Sequence, residues 1–171
     1  MLTRHIYLIG MPGSGKSSLG RRVAANLRLP YTDIDRRIEE VFQMPTGDVL
    51  TTYGEEAFRT IETNMLVQVS REQPGIVSTG GGAVLRELNR TIMRNSGVIL
   101  LIDRPLEDIK SDIKLDRRPL LARKGPTAVD DTYNARIDIY RASADITFVN
   151  GKDLYETVNQ LQRLILTRFQ L

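Results

Sequence analysis

Short apolar segments of strand length alternate along this chain with longer segments whose apolar residues recur at helical spacing. The strand-length segments are residues 5–9, 29–34, 76–79, 98–102 and 146–149. Helical spacing is clearest in two sets of residues: Phe58, Ile61, Met65 and Val69, and then Leu154, Val158, Leu161 and Ile165. Strands that alternate with helices pair in parallel, so the pattern predicts a three-layer α/β fold in which helices cover both faces of a five-stranded parallel sheet.

Residues 10–17 read Gly-Met-Pro-Gly-Ser-Gly-Lys-Ser and match the phosphate-loop pattern G-x-x-x-x-G-K-[ST]. The pattern follows the first predicted strand and precedes a helical segment over 19–27, and this context favours a phosphate loop over an ordinary turn. Its N–H groups would face a polyphosphate, with Lys16 on the β- and γ-phosphates and the Ser17 hydroxyl on Mg²⁺. The predicted ATP contacts are Gly13, Ser14, Gly15, Lys16, Ser17 and Ser18.

The composition of the chain excludes several classes of function but does not identify a single one. The 171 residues predict one domain over 1–171. The absence of cysteine excludes disulfides and thiolate chemistry and suits a reducing cytoplasm. No apolar run is long enough to cross a bilayer, and the first predicted strand begins too early for a targeting segment. The 24 basic and 21 acidic side chains include no basic block with interleaved aromatics, so anionic small molecules are expected as partners rather than nucleic acid.

Asp33 and Asp35 end the second predicted strand, at the edge where ligands bind in parallel sheets. In an extended chain these two residues share one face, so one carboxylate would hold Mg²⁺ through water while the other approaches an acceptor hydroxyl. The alternative is that Asp35 only caps a helix that begins near Arg36. A neighbouring phosphate loop favours the functional interpretation.

Arg59 and Glu62 lie three residues apart on a predicted helix and are therefore neighbours on its surface. They form either a surface ion pair of little consequence or a pair in which Glu62 orients Arg59 to bind a substrate carboxylate. The third strand ends in Gly80, Gly81 and Gly82, where bare backbone allows a ligand to approach closely.

Residues 114–126 carry five basic side chains and two prolines. Such a segment is either a solvated loop or a lid that closes arginines over the transferring group. Arg136 follows on a helix whose predicted apolar stripe is Tyr133, Ile137 and Tyr140, and on its own Arg136 is expected to be solvated.

Together these motifs resemble the shikimate kinase family, a branch of the P-loop kinases, over essentially the whole chain. Many NTPases share the phosphate loop, so the more specific signal is the ordered set of the remaining motifs. That set is Asp33-x-Asp35, Gly54-Glu55…Phe58-Arg59-x-x-Glu62, Gly80-Gly81-Gly82, Arg118-Pro119-Leu120-Leu121 and Arg136…Tyr140.

The resemblance implies ATP-dependent phosphorylation of the 3-hydroxyl of shikimate, within aromatic amino-acid biosynthesis, by an enzyme with strand order 2-3-1-4-5. The lack of cysteine predicts a cytoplasmic enzyme, and nothing in the sequence indicates an obligate partner, so a monomer is expected. It assigns Asp33 to support of Mg²⁺, Arg118 to the lid over ATP, and Lys16, Asp35 and Arg118 to catalysis. Shikimate would be bound in a region around residues 33–62, with Gly80–Gly82 and Arg136. The implied acceptor contacts are Asp35, Arg59, Glu62, Gly80, Gly81, Gly82 and Arg136.

The chain departs from the family pattern at two places. Asp138 stands where the family often has proline, and Lys110 and Ser111 stand where an arginine often stacks on adenine, so Lys110 is predicted to cover the ring. Arg117 competes with Arg118 for the lid role, and the following Pro-Leu-Leu favours Arg118. The rival functions are a gluconate or nucleoside-monophosphate kinase and a nucleotide-gated regulatory module.

Overall fold

The computed structural model describes residues 2–112, 127–151 and 153–170. Its strands form one parallel sheet in the order β2-β3-β1-β4-β5. They are β1 (His5–Ile9), β2 (Tyr31–Asp33), β3 (Ile76–Ser78), β4 (Gly97–Asp103) and β5 (Ile146–Val149). The predicted five-stranded sheet and the strand order implied by the resemblance are both confirmed.

Helices connect successive strands, and a 3-10 turn (Ala83–Leu85) follows β3. The described helices are α1 (Lys16–Leu27), α2 (Ile34–Phe42), α3 (Thr46–Tyr53), α4 (Glu55–Val69), α5 (Glu87–Ser96), α6 (Leu106–Asp112), α7 (Ala128–Ser143) and α8 (Leu154–Phe169). The sequence predicted α1, α2, α4, α7 and α8 but did not single out α3, α5 or α6. Of these three, α3 and α6 are only two turns long, which gives a weak helical period.

Two apolar clusters, one on each face of the sheet, form the core. Side chains alternate along β1, so Tyr7 and Ile9 pack into the first cluster while Ile6 and Leu8 pack into the second. The first cluster includes side chains of α2 to α5, and the second includes side chains of α1 and α8. Because β1 is buried on both faces, the sheet is the middle of three layers, as predicted.

The boundary between β2 and α2 differs from the prediction. The strand ends at Asp33, and α2 begins at Ile34 rather than near Arg36. Asp33 is the N-cap residue, and its carboxylate accepts a hydrogen bond of 3.4 Å from the Arg36 N–H. Asp35 therefore lies in the first helical turn, so both the extended arrangement and the alternative of Asp35 as the cap were wrong.

The predicted stripe of α7 is partly correct. Tyr140 is buried and Tyr133 packs against the first cluster, as expected. Ile139 also packs there, and Ile137 does not belong to that cluster.

Candidate active site

The phosphate loop joins β1 to α1. Gly10, Gly13 and Gly15 have φ angles of 141°, 85° and 98°, which glycine adopts readily and other residues rarely adopt. Lys16 begins α1, and its buried Nζ donates hydrogen bonds of 2.9 Å to the carbonyl oxygens of Gly10 and Met11. The loop and the positive end of α1 thus have the form on which the predicted ATP site depends.

Two side chains from the neighbouring strands support the phosphate loop. Arg104 follows β4 and donates a hydrogen bond of 3.1 Å to the Gly13 carbonyl oxygen. Asn150 follows β5 and donates one of 2.7 Å to the Ser14 carbonyl oxygen. A Cβ atom on Gly15 would lie 2.5 Å from Asn150 Nδ2, so this contact requires glycine. Neither Arg104 nor Asn150 was predicted from the sequence, although residues that follow parallel strands commonly border ligand sites.

Arg59 and Glu62 form a buried ion pair on α4, not a surface pair. Arg59 Nη1 donates to Glu62 Oε2 at 3.0 Å, and the exposed fractions of the two side chains are 8% and 0%. Glu55 Oε1 lies 3.5 Å from Arg59 Nη2. Because both charges lose their hydration, a buried ion pair adds little net stability. A role in binding therefore explains this pair better than a role in stability.

The glycine triplet at residues 80–82 leaves room for these charged groups. A Cβ atom on Gly80 would lie 2.5 Å from Glu62 Oε1 and 3.0 Å from Asp35 Oδ1. A Cβ atom on Gly82 would collide with the Arg59 guanidinium. The absence of side chains at Gly80 and Gly82 thus allows the two carboxyl groups and the guanidinium to approach the end of β3.

Asp35 is half-buried at the cavity, and the charges nearest its carboxyl group are mostly negative. Burial, together with the charges of Glu62 and Asp33, raises the pKa of Asp35 from 3.8 to about 7, against the opposing charge of Lys16. Burial also raises the pKa of Glu62, and the Arg59 charge opposes that change. A carboxyl group with a pKa near 7 suits proton transfer at neutral pH.

Arg136 is half-buried on α7 rather than solvated. Its Nη1 donates a hydrogen bond of 3.1 Å to the Gly81 carbonyl oxygen, and the Tyr140 hydroxyl donates one of 2.5 Å to the same oxygen. The helix α7 is therefore joined directly to the glycine triplet.

One cavity of about 420 Å³ brings together most of the predicted residues. Its lining includes Gly13, Gly15, Lys16, Ser17 and Ser18 from the predicted nucleotide site. From the predicted acceptor site it includes Asp35, Arg59, Glu62, Gly80, Gly81, Gly82 and Arg136. A cavity of this volume suits a small-molecule ligand.

Three predicted residues among those that the structure describes, Ser14, Asp33 and Lys110, do not line this cavity. Ser14 is buried, and its hydroxyl has no hydrogen-bond partner among the described residues. Asp33 borders a separate shallow groove, and Lys110 is exposed on α6, where it pairs with two acidic side chains. The predicted lid at 114–126, which includes Arg118, lies outside the described residues.

Eight further residues line the cavity without having been predicted as contacts. They are Pro12, Thr46, Gly47, Leu50, Glu55, Phe58, Thr79 and Thr132. Three of them belong to α3, which was not predicted. Glu55 belongs to the ordered set of motifs, but the sequence alone gave it no role.

The family model described as shikimate kinase matches residues 12–165. A shikimate kinase from Clostridium botulinum (strain Eklund 17B / Type B) is 37% identical over 161 residues, which cover 94% of this chain and 96% of that protein. The solved shikimate kinase from Acinetobacter baumannii in complex with shikimate superposes with a TM-score of 0.89 at 28% identity. That superposition covers 96% of this chain and 94% of the other.

A gluconokinase from Sinorhizobium meliloti 1021 superposes less well, with a TM-score of 0.58 at 13% identity over 99% of this chain and 95% of the other. Likeness at that identity shows the fold alone. The chain belongs to the shikimate kinase family, as the motifs predicted. It is therefore a kinase, a phosphotransferase with the P-loop kinase fold. Within the described ranges, no helix combines the length and hydropathy that crossing a membrane requires.

Proposed function

We propose that this protein transfers the γ-phosphoryl group of ATP to the 3-hydroxyl of shikimate, giving shikimate 3-phosphate and ADP. The observation that carries the proposal is one cavity in which a phosphate loop meets the buried Arg59–Glu62 pair and the Asp35 carboxyl group. A phosphate loop alone fits any NTPase. An arginine for a carboxylate and a carboxyl group for a hydroxyl fit a hydroxy acid as acceptor.

The acceptor region, around residues 33–62 with the glycine triplet and α7, would hold shikimate by its carboxylate. The planar guanidinium of Arg59 is oriented by Glu62, and a guanidinium can donate two parallel hydrogen bonds to a carboxylate. Arg136 lines the same cavity and adds a second positive charge. Fixing the carboxylate at this end directs the hydroxyl toward the phosphate loop.

Transfer forms a bond between the acceptor oxygen and the γ-phosphorus and breaks the bond from that phosphorus to the β–γ bridging oxygen. Asp35 accepts the proton of the acceptor hydroxyl, for which its pKa near 7 is suited. Lys16 neutralises charge on the phosphates, and positioning with charge stabilisation accounts for most catalysis of this kind. Arg118 would add a further positive charge from the lid.

The residues present fit Mg²⁺ as the accompanying ion. Ser17 offers a hydroxyl in the first turn of α1, and Asp33 offers a carboxylate through water. The described part of the chain contains no cluster of three His, Cys, Asp or Glu side chains, which agrees with an ion held mainly by water and phosphate oxygens. When bound, Mg²⁺ neutralises charge that develops on the β- and γ-phosphates.

The proposal extends to a cytoplasmic, monomeric enzyme whose partners are ATP and shikimate, without nucleic acid or membrane. The lack of cysteine supports the cytoplasmic location, and the absence of a basic block in the sequence supports partners other than nucleic acid. Lys110 would cover the adenine ring.

A coupled assay of ADP release with shikimate, gluconate or AMP as acceptor tests the proposal. We expect rapid turnover with shikimate and, at most, slow turnover with the other two. Faster turnover with gluconate or AMP would support a rival kinase. Slow ATP hydrolysis that is indifferent to all three acceptors would support a nucleotide-gated regulatory module.

A further inference from the structure

The hydroxyl group of Tyr31 lies where α1, β2 and β3 meet. The hydroxyl oxygen lies 3.2 Å from the Ser17 carbonyl oxygen, 3.1 Å from Asp33 Oδ2 and 3.1 Å from Ser78 Oγ. Tyr31 and Asp33 are two residues apart on β2, so their side chains lie on the same face of the sheet. The hydroxyl is therefore within hydrogen-bond distance of both residues that would hold the metal ion, although these residues are far apart in the sequence.

The helix α1 leaves space for this tyrosine. Gly20 lies in the middle of α1, where glycine is less favourable than alanine. A Cβ atom on Gly20 would lie 2.7 Å from Leu8 Cδ1, 3.0 Å from Tyr31 Cε2 and 3.1 Å from Ser78 Oγ. Glycine at this position therefore lets Tyr31 and Ser78, together with Leu8, approach the helix closely.

The neighbours of the Tyr31 hydroxyl determine which of them receives its proton in a hydrogen bond. A tyrosine hydroxyl has one proton to donate and can also accept. The buried Ser78 hydroxyl can donate to the Tyr31 oxygen, which leaves the Tyr31 proton for the Asp33 carboxylate or the Ser17 carbonyl.

We propose that Tyr31 is a positioning residue, which fixes the Asp33 carboxylate relative to Ser17 so that the nucleotide-bound divalent cation meets both. This inference rests on the proposed function, since it assumes the cation accompanies ATP. Tyr31 touches neither the cation nor the acceptor. Its effect should therefore appear in the metal dependence of nucleotide binding.

The test is Tyr31→Phe, which keeps the ring and removes the hydroxyl. ADP binding is measured by calorimetry without shikimate, in EDTA and at several Mg²⁺ concentrations. Loss of one hydrogen bond should weaken ADP binding at limiting Mg²⁺ roughly threefold to tenfold. We expect the difference to shrink at saturating Mg²⁺, with ADP affinity in EDTA and shikimate affinity both unchanged.

Tyr7→Phe is the matched control, because it removes a buried tyrosine hydroxyl that bonds to Ser96 Oγ at 2.7 Å away from the cavity. Tyr7→Phe should lower the melting temperature without altering the metal dependence. If Tyr31→Phe does only the same, or weakens ADP equally in EDTA, Tyr31 does not position Asp33. The inference would also be overturned if the affinity of the parent protein for ADP did not change with the Mg²⁺ concentration. If shikimate is not phosphorylated but the metal dependence shifts as expected, the proposed function fails while the role of Tyr31 stands.

Discussion

Arg59 makes its contacts through the shape of the guanidinium as well as through its charge. Its two terminal nitrogens face Glu62 and Glu55, and the whole group is buried beside Gly82. Lysine keeps the charge but has a single compact ammonium, which cannot donate two parallel hydrogen bonds. Replacing Arg59 with lysine therefore tests whether shikimate binding needs the planar guanidinium or only its positive charge.

Arg59→Lys should lower shikimate affinity roughly tenfold to a hundredfold, because a charge-assisted hydrogen bond is worth about 1.5–3 kcal/mol. ADP affinity should stay near that of the parent, since Arg59 contacts no residue of the phosphate loop in the described contacts. Titration calorimetry with each ligand measures both. Arg37→Lys is the control, because Arg37 makes a two-bond pair with Glu72 outside the cavity. Unchanged shikimate affinity in Arg59→Lys would mean that the carboxylate binds elsewhere.

Asp35→Asn should stabilise the ligand-free protein at alkaline pH while reducing turnover. The folded state keeps a proton on Asp35 up to a pKa of about 7, whereas the unfolded chain releases it near 3.8. The folded state therefore loses stability as the pH rises between these values, and the variant escapes this loss. One pKa unit is worth about 1.4 kcal/mol, so we expect a gain of up to roughly 4 kcal/mol at about pH 8, which declines toward zero near pH 4. Urea unfolding at both pH values measures the gain, and an equal gain at both would show that the pKa of Asp35 is not raised.

At the scale of elements, the sequence predicted the strands and motifs that a local pattern of residues defines. The strands β1 and β5 have their predicted bounds, and the motifs identify most residues of the cavity because each motif is contiguous or helically spaced. The start of α2 was misplaced because the carboxylate of Asp33 caps the helix earlier than the apolar pattern indicates. Asn150 was missed because its partner Ser14 is 136 positions away, and no local pattern marks a single asparagine after a strand.

Asn150→Ala should weaken nucleotide binding through the loop that Asn150 supports. Its amide donates to the Ser14 carbonyl, and an ordinary hydrogen bond is worth about 0.5–1.5 kcal/mol, so ADP affinity should fall roughly twofold to tenfold. Shikimate affinity should stay unchanged. Asn26→Ala, which removes an exposed amide bonded to Gln162 between α1 and α8, is the control. Calorimetry that finds the same ADP affinity in both variants would show that β5 does not support the phosphate loop.

At the scale of the whole molecule, the two edges of the parallel sheet have different roles, one at the carboxyl ends of the strands and one at their amino ends. All strands run in one direction, so the phosphate loop and the glycine triplet both follow the carboxyl ends of strands. His5 begins β1 and Gly75 precedes β3, so their contact lies at the opposite edge. A change at that edge should alter stability without altering the cavity.

His5→Asn tests this separation through pH. Nδ1 of the buried His5 accepts a hydrogen bond of 3.3 Å from the Gly75 N–H, so the proton of the neutral ring lies on Nε2, which has no partner among the described residues. Burial lowers the pKa of His5 below 6.5, so the unfolded chain takes up a proton that the folded chain resists, and stability falls as the pH drops through 6.5. Asparagine keeps an acceptor for Gly75 but does not titrate. In urea unfolding, the parent's advantage over the variant should therefore be largest near pH 8 and narrow toward pH 5, with equal turnover at about pH 7.5. A constant difference would show that the fold accepts the charged ring, and altered turnover would show that the two edges are coupled.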